Sequence, residues 1–187
     1  MSRSKLIPAV LGVLALAIVI GGLVWYLGGS RSGGAAMDLL EGVKPIDQRS
    51  HPQGHGGFTI ETVNIDGQAK KCMVARPYSR ITYQVTVPAD GWLETTFAIK
   101  PDAWSQGTDG AQFRVGVSEG RNYDELLRQV IRPQGGDRRW FPVRLDLSAY
   151  QGHTVKLIFN TDPGPPGSTN AEHDEAVWCE SRIVSRH

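Results

Sequence analysis

The sequence predicts an all-β sandwich of jelly-roll type, preceded by a single membrane-spanning α-helix. Three observations carry this reading. A charge-free apolar run occupies residues 6–27. From residue 58 onward, apolar residues recur at every second position. Clusters of Gly, Pro and Asp separate those alternating segments.

The run Leu6 to Leu27 would span about 33 Å as a helix at roughly 1.5 Å per residue, which matches a hydrocarbon core of about 30 Å. Pro8 falls in the first turn, where its missing N–H costs little. Trp25 and Tyr26 mark the exit, where amphipathic rings favour the interface. Arg3 and Lys5 precede the run, which places residues 1–5 in the cytoplasm and the C-terminal domain on the far side. A cleaved signal peptide is the alternative, but its apolar region is normally about 7–15 residues. Ala17 and Gly21 are spaced small-xxx-small, with Gly22 beside them, a pattern that lets a second helix approach closely.

Residues 28–57 are rich in Gly, Ser, Pro and His and read as a linker. Met37 to Val43 could form a short helical turn that docks Leu39 and Leu40. The domain is expected over 58–187. Its alternating sets are Ile81, Tyr83, Val85 and Val87; Leu93, Thr95, Phe97 and Ile99; Phe113, Val115 and Val117; Val143, Leu145 and Leu147; and Val155, Leu157 and Phe159. A last strand starts at Ala176 and Trp178. Such alternation means strands with one face in a core and one in water. Turn signals between them, such as Pro88-Ala-Asp-Gly91 and Gly107-Thr-Asp-Gly110, suit a sandwich. No helical pattern of useful length intervenes, so α/β is excluded.

The segment Trp140 to Phe159 contains Leu145-Asp-Leu-Ser-Ala-Tyr150, then Gly152, then an alternating strand. It resembles galactose-binding-like jelly-roll domains, which bacterial envelope proteins often carry. Gly110-Ala-Gln-Phe-Arg-Val-Gly-Val117 and Glu175-Ala-Val-Trp-Cys179 also look like that family's pattern. The resemblance covers roughly 75 to 185. It implies the fold more than the function, because the fold hosts sugar binding, protein binding and enzyme-appended roles alike. It also implies a bacterial cytoplasmic-membrane protein whose sandwich is periplasmic or extracellular.

Cys72 and Cys179 are the only cysteines. In a jelly roll of this type the chain ends often lie close together, and outside the cytoplasm two such thiols are expected to be joined. A pair of buried free thiols is the alternative. The family often holds a structural calcium near its chain ends. Asp174 and Glu175 could supply the hard carboxylates calcium prefers, against the alternative of a solvated acidic loop; no other cofactor is implied. His51 and His55 have metal-pair spacing, but Pro52 and the glycines around them argue against the helix that pairing needs.

No nucleophile elbow, zincin motif, P-loop or haem motif occurs, so an enzyme is not expected. The formal charge is +1 with no basic tail or stripe, so nucleic acid is not an expected partner. Trp104, in the turn-rich loop Pro101 to Gly107, and Tyr123 are candidates for stacking a ligand or anchoring a partner. Arg138 and Arg139 could add a basic patch facing anionic lipid heads or an acidic partner. The first expectation is a non-catalytic accessory or assembly subunit of a respiratory, photosynthetic or secretion complex. It would be held in the lipid bilayer by its helix and would contact other subunits by helix and sandwich. The alternative is a lectin-like carbohydrate-binding module at the cell envelope.

Overall fold

The computed structural model describes residues 36–51 and 58–185. The apolar run 6–27, with Ala17, Gly21 and Gly22, lies outside the described residues, as does His55. Among the described residues no helix is long and apolar enough to cross a membrane.

The described strands are β1 (Met37–Asp38), β2 (Asp47–Ser50), β3 (Ile60–Ile65), β4 (Gln68–Val74), β5 (Ser79–Thr86), β6 (Gly91–Ile99), β7 (Ala111–Glu119), β8 (Asn122–Ile131), β9 (Phe141–Asp146), β10 (Thr154–Pro163) and β11 (Ala176–Ser185). One helical turn, α1 (Pro101–Trp104), and two 3₁₀ turns interrupt them. Sheet one runs β3-β4-β11-β6-β9, with β1 also on β11; sheet two runs β2-β5-β10-β7-β8. From β4 to β7 and from β8 to β11 the chain crosses between the sheets at each connection, which makes a jelly-roll sandwich. The five alternating sets of the sequence lie on β5, β6, β7, β9 and β10, and the expected last strand is β11. β1 and β2 fall inside the stretch read as a linker, and each pairs with a sheet. Leu39 docks as expected, 1% exposed, but Met37–Asp38 is a strand, and Asp38 Oδ1 caps the turn by accepting from the Leu40 N–H at 2.7 Å.

The inward faces meet in an aromatic cluster. Trp178 of β11 touches Phe97, Phe113 and Phe159 at centroid separations of 5.3, 5.1 and 5.0 Å. Its indole N–H donates to Thr161 Oγ1 at 3.1 Å, so the buried polar handle is satisfied. A second cluster lies on the other face of sheet one. Ala98 and Val177 alternate with core residues and pack there with Val63, Ile65, Val74 and Trp140. Cys72 and Cys179 sit directly opposite one another in the β4–β11 ladder and are disulfide-bonded within this outer cluster. They meet because their strands are neighbours, not because the termini converge.

Strand direction sorts the loops. The β4–β5, β6–β7, β8–β9 and β10–β11 connections all gather at one end of the sandwich. Met37 pairs with Ile183 and Gly91 with Ser185 at the other end, so the described domain's first and last strands close there.

Candidate functional site

The loop end carries the concentrated chemistry of the domain. Tyr78, in the β4–β5 connection, is 40% exposed and holds a positive φ of 62°. A bulky residue in that region stores strain, and strain of this kind collects at functional positions. The conformation is fixed from several sides. The Tyr78 hydroxyl donates to the Thr169 carbonyl at 3.1 Å, its own carbonyl accepts from the His51 N–H at 3.1 Å, and the His51 ring meets its edge at 6.4 Å. The result is an aromatic ring held rigidly while still open to solvent.

Polar groups surround it. Arg76 Nε donates to Glu175 Oε1 at 2.6 Å, which raises the guanidinium pKa further; the hydrogen bond is the main cause and burial opposes it. Glu175 Oε2 and Ser79 Oγ are buried and have no hydrogen bond among the described residues. Ser79, Arg76 and His51 also line a small cleft at this end, with room of about 20 Å³, enough for one water.

Asp174 lies next to this group but turns away from it. It is 1% exposed, and its Oδ1 accepts from Thr108 Oγ1 at 2.5 Å. Thr108 Oγ1 in turn accepts from the Gly110 N–H at 3.1 Å. Burial pushes the Asp174 carboxyl up to about 6, and the nearby Asp109 charge pushes the same way. Asp109 is held by Ser168, whose hydroxyl donates to Oδ2 at 2.9 Å. The network ties the β6–β7 and β10–β11 loops together. Asp109 Oδ1 and Asp174 Oδ2 are buried with no hydrogen bond among the described residues; Glu175 is engaged by Arg76, and among the described residues no three His, Cys, Asp or Glu side chains are placed to hold a metal.

Trp104, Arg138 and Arg139 share the loop end but are not presented as an open platform. The α1 turn folds the Trp104 ring back so that its N–H donates to the Ile99 carbonyl at 2.9 Å. The ring is half-buried between the two apolar clusters, with Arg138 over it at 5.8 Å. Arg139 lies over Phe141 at 4.6 Å. Tyr123 is elsewhere, at the start of β8 on the outer face of sheet two, 45% exposed. Tyr78 and Arg76 were not singled out by sequence reasoning; the one available signal was an aromatic just before a strand, at Pro77-Tyr78-Ser79.

No protein-family model matches the chain. A stretch of 104 residues is 33% identical to an uncharacterized protein of Archaeoglobus fulgidus, covering 54% of this chain and 25% of that one. The chain thus spans about a quarter of that relative's length. Among solved structures, CBM51-2 with the INT domains of Clostridium perfringens ZmpB aligns at TM-score 0.58 and 13% identity, over 81% of this chain and 32% of that chain. The CBM51 of Clostridium perfringens GH95, in complex with methyl-galactose, aligns at TM-score 0.58 and 13% identity, over 80% of this chain and 99% of that one. Tandem CBM51 modules of a Streptococcus pneumoniae family 98 glycoside hydrolase align at TM-score 0.52 and 16% identity, over 81% of this chain and 47% of theirs. At such identities the likeness concerns the fold. The described domain is a jelly-roll β-sandwich, a fold it shares with these structures.

Proposed function

We propose that the protein is a non-catalytic carbohydrate-binding module whose site is the loop end around Tyr78. The observation that carries the reading is the strained, solvent-open Tyr78 ring, at the same loop end as the part-exposed Arg76–Glu175 pair. Sugar recognition needs an apolar ring face for the C–H side of a pyranose and a few fixed polar groups for its hydroxyls. Tyr78 supplies the first; the part-exposed Arg76–Glu175 pair supplies the second. The loops lie opposite the end where β1 and the close of β11 pair, so the site is clear of the first and last described residues. The fold shared with modules solved with methyl-galactose and with GlcNAc supports a glycan as ligand class.

The accessory-subunit reading draws no support from the described residues or from the similar structures. A glycan array probed with the wild-type chain and with Tyr78→Ala tests the proposal. Binding to a defined set of glycans that falls at least tenfold in the variant is expected. No glycan bound at millimolar monosaccharide, or equal binding by the variant, would overturn it.

A further inference from the structure

The outer face of sheet two carries an arrangement that folding alone does not favour. The register sets Arg49 of β2 directly opposite Arg80 of β5, and Arg114 of β7 directly opposite Arg128 of β8. Like charges at directly opposed positions destabilise a sheet. The second pair is compensated: Arg114 bonds Asp162 at 2.7 Å, and Arg128 bonds Glu125 at 2.7 Å. The first is compensated only on one side, where Arg49 leans onto Asp47 at 2.8 Å. Arg80 has no ion pair or side-chain hydrogen bond among the described residues, and neither has Lys156, on the neighbouring strand β10. These two free cations line an open depression of about 410 Å³. Its other walls include the hydroxyls of Thr82 and Ser118 and the buried Ile158 side chain.

Beside the depression the sheet offers an aromatic surface. A Cβ built on Gly116 would meet Tyr123 Oη at 2.4 Å and Cε2 at 2.5 Å. The absent side chain therefore lets the Tyr123 ring lie against the strand backbone, still 45% exposed. Ser118, which lines the depression, is the register partner of Tyr123, so ring and depression adjoin.

We propose that this face is a second glycan site, specific for acidic polysaccharides bearing sulfate or carboxylate groups. The proposal rests on the reading of the domain as a carbohydrate-binding module and names a ligand class for a different surface of it. Arg80 and Lys156 would take the anionic groups, Thr82 and Ser118 would take hydroxyls, and Tyr123 would stack one ring. Ile46, 52% exposed, also lines the depression, but Arg80, Lys156 and the Thr82 and Ser118 hydroxyls make its lining mainly polar, which suits a polysaccharide better than a lipid surface. It fits better than nucleic acid because Asp47, Glu125 and Asp162 break up the positive field.

Affinity electrophoresis of the full-length chain tests this, in gels containing dextran sulfate, polygalacturonate or neutral dextran. The expected result is salt-sensitive retardation by an acidic polymer but not by dextran. Retardation should fall at least tenfold in Arg80→Gln/Lys156→Gln, persist in Tyr78→Ala, and weaken in Tyr123→Ala. Unchanged melting of the double variant shows that the fold is intact. Equal retardation of the double variant, no retardation of the wild type, or preferential binding to phosphatidylglycerol vesicles or duplex DNA would overturn the proposal. In the second case, Tyr78-dependent binding on a glycan array would show the module reading standing while this one falls.

Discussion

At the scale of single residues, the domain keeps two costly features at its loop end. Tyr78 occupies a left-handed conformation that L-residues adopt at a cost of about 1–2 kcal/mol. Tyr78→Ala and Tyr78→Gly both remove the ring and its bond to Thr169, so their difference isolates the backbone term. The glycine variant should be more stable than the alanine variant by about 1 kcal/mol in urea unfolding, and both should lose glycan binding. Equal stabilities would show that the strain is absent. Asp174 is the second feature. Its carboxyl is raised to about 6 by burial, above an unfolded value near 3.9. The native state therefore holds a proton that the unfolded chain has released across that window. Stability from this group is present below about pH 4 and is lost as pH rises through about 6. Asp174→Asn should flatten that part of the stability–pH profile, by on the order of 3 kcal/mol at 1.36 kcal/mol per unit. A variant profile parallel to wild type across pH 4–6 would contradict this.

At the scale of elements, the disulfide and one glycine make separate claims. Cys72–Cys179 bridges β4 and β11 and closes a loop of 107 residues. On the chain-entropy model, Cys72→Ser/Cys179→Ser should cost about 4–5 kcal/mol, read as a lowered denaturation midpoint; a loss under 1 kcal/mol would mean the ladder alone holds these strands. Gly110 has φ 110°, and a Cβ there would meet the Ile131 carbonyl oxygen at 2.1 Å. Backbone cannot step aside as a side chain can, so Gly110→Ala should destabilise by about 2 kcal/mol or more. The strands that span the sandwich centre were legible, because β5, β7 and β10 each keep one wet face and so alternate cleanly. β8 was not: its sequence Asn122 to Ile131 lies on a sheet edge with a bulge opposite Val115 and Gly116, and is only half-buried. The start of β11 reads as an unbroken apolar run because Val177 and Cys179 are covered by a second cluster while Trp178 enters the core. β1 and β2 hid in a Gly-rich stretch because edge strands of two and four residues leave little periodicity. Trp104 looked exposed from its turn-rich surroundings; the short helix that folds it onto Ile99 left no sequence trace beyond Pro101. Tyr78 could not be found because a positive φ is a property of the tertiary structure.

At the scale of the whole described domain, the two sheets do different work. Sheet one is thickened by an outer cluster and a disulfide, and it holds the domain together. Sheet two stays single-sided, with an outer face that keeps like charges opposed at Arg49 and Arg80. The loops collect at one end and present Tyr78. On the proposals above, neutral sugars would meet the loop end and acidic chains the outer face of sheet two. The most direct test of the central claim is a two-dimensional NMR titration of the ¹⁵N-labelled protein with methyl-galactose and with GlcNAc. The account predicts saturable shifts confined to the loops at 75–79 and 164–175, absent in Tyr78→Ala. Shifts centred elsewhere on the sandwich, or none at millimolar sugar, would contradict it.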